Sequence, residues 1–171
     1  MIILLLLAAA VIFVPVFKLS AATPTQEQVV KAALIYKMAN YVIWKEKPQQ
    51  LTYCFIGESS HPIGDILKKK QKLGKLPPNI DVVNKDSLNE DTGKNCSVIY
   101  ITNEFRVSSE TLDSMSKSVF TITNSKAALN KGFIASIEIH KNKPLLSISK
   151  KNLKRSDISV NSRFLSWVKL H

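Results

Sequence analysis

Groups that could carry out chemistry are few in this 171-residue chain, and they lie far apart. Its three histidines are His61, His140 and His171, and nothing in the sequence places any of them beside a serine and a carboxylate. No GxSxG, HExxH or CxxC motif occurs, so the spacings typical of serine hydrolases, zinc proteases and thioredoxin-like proteins are missing. The sequence therefore predicts no catalytic residues, no metal site and no cofactor, and it favours a binding protein over an enzyme.

One loop has a composition that suits a ligand. Gly57, Glu58 and Ser59 come directly after a predicted buried strand, and open α/β sheets bind ligands at the carboxyl ends of their strands. Their spacing is neither GxGxxG nor a P-loop. Two interpretations stay open, namely a small-ligand site at these three residues and a turn that only reverses the chain.

The first residues bear on the compartment. Residues 2–17 form an apolar run, and Ser20, Ala21 and Ala22 offer small side chains at the spacing that signal peptidase recognises. We therefore predict that residues 1–22 are a secretory signal peptide and that residues 23–171 form the exported domain. The run is not preceded by Lys or Arg, which leaves an uncleaved anchor as the alternative.

The cysteines depend on this compartment. Cys54 and Cys96 are the only two cysteines of the sequence, and an oxidising compartment favours a disulfide between them. Without export, the same residues would be two buried thiols.

The net charge of +11 is densest at Lys68, Lys69, Lys70 and Lys72. A nucleic-acid interface would interleave such charge with stacking aromatic residues, which this run lacks. The run favours a solvated helix face with an affinity for anionic lipid or an acidic protein surface. No nucleic-acid partner is predicted.

Strand and helix patterns alternate along the chain, which predicts a single α/β domain whose mixed sheet is largely parallel. A turn at 140–144 between two apolar segments predicts a C-terminal antiparallel hairpin. The predicted strands span 51–56, 80–83, 96–101, 118–123, 133–139 and 145–149, and the predicted flanking helices span 29–44, 65–73, 109–116 and 162–170.

The segment 29–44 predicts a helix that is apolar on nearly every side. It is shorter than the roughly 20 residues of a membrane-spanning helix. Thr23 is its predicted N-cap, with Pro24 at the first helical position and Gln26 completing a capping box. One flank is expected to cover the sheet, and the other is expected to face a neighbouring element or a second protomer.

Several segments agree in order with a known family. VKAALIYKMANYVIW, then TYCFIG, then CSVIYI resemble the YfiR family of periplasmic regulators. The tail KGFIASIEIHKNKPLLSISKKNLKRSDISVNSRFLSWVKL is similar to the family's ending, in which a hairpin precedes two helices. The resemblance covers about 29–170, and by position Cys54 and Cys96 match the family's strand-linking disulfide. The second disulfide of some members has no cysteines here.

The resemblance implies a periplasmic regulator rather than an enzyme. Such a protein represses a membrane-bound diguanylate cyclase by binding its periplasmic domain, which lowers cyclic di-GMP and restrains biofilm formation. The alternative is an extracytoplasmic small-ligand sensor, or an accessory domain for a histidine kinase or an outer-membrane receptor. Self-association into a homodimer is also implied.

A partner-binding surface on the first and last helices follows from this resemblance. Those helices have more apolar and aromatic residues than one buried face needs, and aromatic anchors dominate many protein interfaces. The predicted contact residues are Tyr41, Val42, Trp44, Phe164 and Trp167. The alternative is that all five belong to the core.

Overall fold

A computed structural model describes residues 23–115 and 117–171, so the predicted signal peptide at residues 1–22 lies outside the described residues. Its main sheet has seven strands in the order β3-β2-β4-β5-β6-β7-β9, and β1 and β8 form a separate two-stranded sheet. The strands are β1 Val42–Trp44, β2 Leu51–Ile56, β3 Ile80–Lys85, β4 Val98–Ile101, β5 Phe120–Thr123, β6 Ala135–His140, β7 Lys143–Ile148, β8 Ile158–Val160 and β9 Lys169–Leu170. The α-helices are α1 Gln26–Ala39, α2 His61–Lys72, α3 Glu90–Asn95, α4 Ser109–Met115, α5 Lys150–Lys154 and α6 Ser162–Leu165, and 3₁₀ helices span Glu58–Ser60 and Lys126–Lys131.

The predicted fold class is confirmed. Strands β3, β2, β4, β5 and β6 are parallel neighbours, and β6 and β7 form the expected antiparallel hairpin. Helices cover both faces of this sheet, which makes the domain α/β.

Strand β2 shows how the two faces are filled. Side chains alternate along a strand, so Tyr53 and Phe55 enter the core on one face, and Cys54 and Ile56 enter the core on the other. Every one of these four side chains is buried. A strand that is covered on both faces has apolar residues at successive positions, which explains why the sequence pattern predicted this strand.

Two tyrosines behave as apolar core residues. Tyr53 and Tyr100 are almost fully buried, and their hydroxyls have no hydrogen-bond partner among the described residues. Burial raises the pKa of the Tyr53 hydroxyl, and the neighbouring Tyr36 raises it further. Burial likewise raises the pKa of the Tyr100 hydroxyl, with smaller effects from Glu104 and Glu27. Both side chains are therefore neutral.

The first helix differs from the prediction at both ends. Its N-cap is Thr25, whose hydroxyl accepts from the Gln28 backbone N–H at 3.2 Å while the Gln28 side chain accepts from the Thr25 N–H at 2.8 Å. The predicted capping box is therefore present two residues later than Thr23. At the other end, α1 stops at Ala39 because the β-branched and aromatic residues of β1 pair with β8, with Val42 opposite Val160.

The predicted C-terminal helix is also too long. Helix α6 ends at Leu165, and the chain then extends into β9, where Lys169 lies opposite Ser147 of β7. Pairing with the open edge of β7 satisfies backbone groups that a longer helix would leave uncovered on that strand.

Candidate functional site

The predicted disulfide is confirmed. Cys54 lies in β2, and Cys96 follows α3 just before β4, the strand that pairs with β2. Their Cα atoms are 5.9 Å apart, and the bond joins Cys54 to Cys96 within the core on the α4 side of the sheet. It connects two neighbouring strands, as the family resemblance implied.

The loop at residues 57–59 is a tight turn. Gly57 adopts a positive φ of 80°, and a Cβ atom at this position would lie 2.8 Å from the Phe105 ring. Its N–H donates to the Lys85 carbonyl at 2.8 Å, and its carbonyl accepts from the Ser60 N–H at 2.9 Å. The turn therefore explains why position 57 is a glycine, and no bound ligand is needed for that explanation.

The loop at residues 57–59 lies outside the cavities described here. Gly57, Glu58 and Ser59 line none of four surface cavities of about 290 to 470 Å³. A ligand at these residues stays a prediction.

An aromatic cluster joins the end of α1 to the C-terminal segment. Tyr41 stacks on Phe164 of α6, with ring centroids 4.9 Å apart and planes 10° apart. Trp167 meets the edge of Tyr41 at 6.5 Å and 72°. The two segments are held together by the Asn161 N–H, which donates to the Tyr41 carbonyl at 2.9 Å. Such offset and edge contacts are the favoured geometries of aromatic pairs.

The five predicted contact residues separate by exposure. Trp167 is 67% exposed, and Tyr41 is half-buried beneath it. Val42 and Phe164 retain only 7% and 4% of their exposure, because β1 and α6 turn these side chains into the core. Trp44 is half-buried, and its indole N–H is shielded from solvent without a hydrogen-bond partner among the described residues.

This distribution limits the surface that a partner can reach. Val42 and Phe164 are core residues, so a partner cannot contact them directly in this conformation. The accessible part consists of exposed Trp167 and half-buried Tyr41 and Trp44. Trp167 and Tyr41 are in contact, and we call this pair the Trp167 surface. Only its exposure, and not its contact with a partner, follows from the structure.

Sequence analysis missed Ile43, which is 55% exposed on β1. In the helix predicted for 29–44, Ile43 falls on the same side as Ile35 and so belongs to an apolar flank. The alternation of a strand, with buried Val42 before it, would have assigned it to the outside.

A polar cavity of about 420 Å³ was not predicted. It lies where β2, β4 and β5 begin, and its walls include Trp44, Thr52, Ser97, Ser118 and Asp157. Apolar ring surface and polar side chains occur together there, as in many small-molecule sites.

The described residues contain neither a cluster of metal ligands nor a membrane-spanning helix. Within 23–115 and 117–171, no group of three or more His, Cys, Asp or Glu side chains could hold a metal ion. In the same part of the chain, no helix is long and apolar enough to cross a membrane.

Comparison with known proteins decides the family. A family model described as YfiR/HmsC-like matches residues 28–168. The chain belongs to the YfiR/HmsC-like family. This YfiR/HmsC-like family is a group of periplasmic regulators without enzymatic activity, whose members work with membrane signalling proteins. No curated protein matches the sequence.

A solved structure has a related fold. The crystal structure of a conserved domain protein from Vibrio cholerae O1 biovar El Tor str. N16961 is similar, with a TM-score of 0.50 and 13% sequence identity. The match covers 84% of the present YfiR/HmsC-like chain and 59% of the Vibrio chain. At this identity the likeness concerns the fold alone.

Proposed function

We propose that this protein is an exported repressor of a membrane-bound diguanylate cyclase, whose periplasmic domain it binds. Binding lowers cyclic di-GMP and so restrains biofilm formation. The observation that supports this proposal most is membership of a regulatory family over residues 28–168. The Trp167 surface supplies a candidate contact, because a large exposed aromatic side chain on a rigid aromatic base suits an interface anchor.

The partner is tested by recovery from the cell envelope. The exported protein, carrying an affinity tag, is cross-linked in cells and purified with its neighbours. Recovery of a membrane cyclase supports repression. Recovery of a histidine kinase or an outer-membrane receptor in its place supports the sensor alternative, which the 420 Å³ cavity beside Trp44 favours.

Export is a prediction of its own. Mass spectrometry of the periplasmic fraction is expected to find a chain that starts near Thr23, because residues 20–22 are small and follow an apolar run. An intact Met1 in the membrane fraction would replace cleavage with an anchored protein.

Replacing Trp167 with alanine is expected to weaken partner binding about thirtyfold while leaving the fold intact. Truncation of a true interface anchor costs about 2 kcal/mol or more, which corresponds to that factor. Because Trp167 is 67% exposed, the free energy of unfolding should change by less than about 1 kcal/mol. Calorimetry with the partner's periplasmic domain and urea denaturation measure the two quantities on the same sample.

Val29→Ala is the matched control. Val29 is apolar and 43% exposed, and it lies in the first turn of α1, at the opposite end of that helix from Tyr41. Its truncation should change neither affinity nor stability measurably. If Trp167→Ala binds as tightly as the native protein, the Trp167 surface is not the contact.

A further inference from the structure

The end of α2 is a dense, unpaired basic surface. Helix α2 buries Ile63, Gly64 and Leu67 against the sheet, so the lysines of its last turns project into solvent. Lys69, Lys70, Lys72 and Lys75 are all exposed. Within the described residues, none of these four lysines lies within 4 Å of a carboxylate oxygen.

An exposed leucine lies in the middle of this charge. Leu73 caps the C-terminus of α2 and is 59% exposed, followed by Gly74 in a left-handed turn at φ 64°. The side chain of Leu73 is therefore exposed at the tip of the helix, next in sequence to Lys72 and one turn after Lys69 and Lys70.

Hydrogen bonds place this tip at one edge of the main sheet. The Leu51 N–H donates to the Asn79 carbonyl at 2.8 Å, and the Gln71 side chain donates to the Ile80 carbonyl at 2.9 Å. Leu51 and Ile80 are the first residues of β2 and β3. The lysines of α2 therefore lie at the amino ends of the parallel strands, and we call this the amino edge.

More lysines reach the same edge from other loops. The segments before β2, β4 and β5 must lie there because these strands are parallel neighbours. The exposed lysines of these segments are Lys45, Lys47, Lys94 and Lys117. The exposed carboxylates of Glu46 and Asp157 lie at this edge too, and they offset only part of the charge.

The opposite edge carries charge of both signs. Exposed Glu58, Asp86 and Glu104 follow the carboxyl ends of β2, β3 and β4. The exposed basic residues that follow β4 and β5 or lie at the β6–β7 turn are Arg106, Lys126, Lys141 and Lys143. Net positive charge is therefore denser at the amino edge, and a negatively charged plane would attract this edge more strongly, which favours one orientation.

We propose that the amino edge docks onto an anionic phospholipid bilayer, with Leu73 entering the headgroup region. Lysines spread over one face suit a surface of many phosphates, since each ammonium acts as a point charge and needs no paired geometry. Leu73 adds apolar contact beside that charge, a combination found in peripheral membrane binding. The docking deepens the proposed function, because it would hold a regulator at the surface in which its membrane partner resides.

Vesicle binding tests this proposal without any partner. The chain recovered from the periplasm is sedimented with phosphatidylglycerol–phosphatidylethanolamine vesicles, and phosphatidylcholine vesicles serve as the neutral reference. Binding to the anionic vesicles is expected at about 0.05 M salt and is lost at about 0.5 M, where screening is stronger. Inorganic phosphate at millimolar levels should not compete, because the proposed ligand is a surface and not a free anion.

The decisive variant is Lys69→Gln, Lys70→Gln and Lys72→Gln together. Each lysine near an anionic surface contributes about fivefold to binding, so the triple variant should lose about a hundredfold. Leu73→Gln should lose several-fold at unchanged melting temperature, because this side chain is exposed.

The matched control removes three exposed lysines elsewhere, by Lys126→Gln, Lys141→Gln and Lys143→Gln. These residues follow β5 or lie at the β6–β7 turn, away from the amino edge, and the net charge change is identical. Equal losses in both triple variants would mean attraction by net charge alone, which overturns the proposal. The proposal is also overturned if the native chain does not bind anionic vesicles and the α2 triple variant no longer binds the protein partner. Neither result would refute binding to a cyclase, so the two proposals fail separately.

Discussion

Replacing both Cys54 and Cys96 with alanine is expected to lower the free energy of unfolding by about 4 kcal/mol. The bond closes a loop between residues 42 positions apart, and cross-linking a loop of this size removes conformational entropy from the unfolded chain. Both residues are buried in the core that includes Ile99 and Met115. Alanine is the better replacement there, because serine would bury two hydroxyls without partners.

Urea denaturation of the native protein, with and without reductant, measures the same quantity independently. The double variant should match the reduced native protein to within about 1 kcal/mol, since both lack the bond and differ only by two sulfur atoms. A single Cys54→Ala variant controls for the packing change, because it also leaves Cys96 unable to pair. An oxidised native protein that is no more stable than its reduced form would show that the bond does not constrain the unfolded chain.

Much of the sheet could be predicted from local sequence. Tyr53 to Ile56 and Val98 to Ile101 are short apolar runs between turn residues, and a strand that is buried on both faces must have this composition. The hairpin was indicated by the polar turn between β6 and β7. In these segments the local pattern and the tertiary environment favour the same structure.

Residues 42–44 could not be predicted in this way. They continue the apolar pattern of α1, so a helical period describes them as well as a strand does. Their partner is β8, which lies near the other end of the chain, and only the folded protein brings Trp44 opposite Ile158. The short β9 could not be predicted for the same reason, because its identity as a strand depends on the free edge of β7.

The candidate surface was limited by a different ambiguity. The apolar character of a side chain indicates that it is removed from water, but it does not show whether the chain's own core or another protein buries it. Phe164 and Trp167 are three residues apart and were equivalent in sequence. Helix α6 ends at Leu165, so Phe164 points inward against Tyr41 while Trp167 lies beyond the helix and stays exposed.

The burial of Phe164 leads to the second prediction with a large effect on stability. Phe164→Ala is expected to lower the free energy of unfolding by about 3 to 5 kcal/mol, the usual range for truncating a buried phenylalanine. Phe164 is 4% exposed, and its ring is the stacked partner of Tyr41. Its loss leaves a cavity beside Tyr41, whose ring also contacts Trp167. Thermal and urea unfolding of the variant measure the change.

Phe164→Leu is the control that separates packing from recognition. Leucine refills much of the cavity, so it should recover more than half of the lost stability although it cannot stack on Tyr41. Partner affinity, corrected for the folded fraction, should then be nearly native in Phe164→Leu and remain about thirtyfold reduced in Trp167→Ala. If Phe164→Ala unfolds at the same urea concentration as the native protein, α6 does not pack on Tyr41 in solution. Phe164 would then be available to a partner beside Trp167, and the contact surface would be larger than the structure indicates.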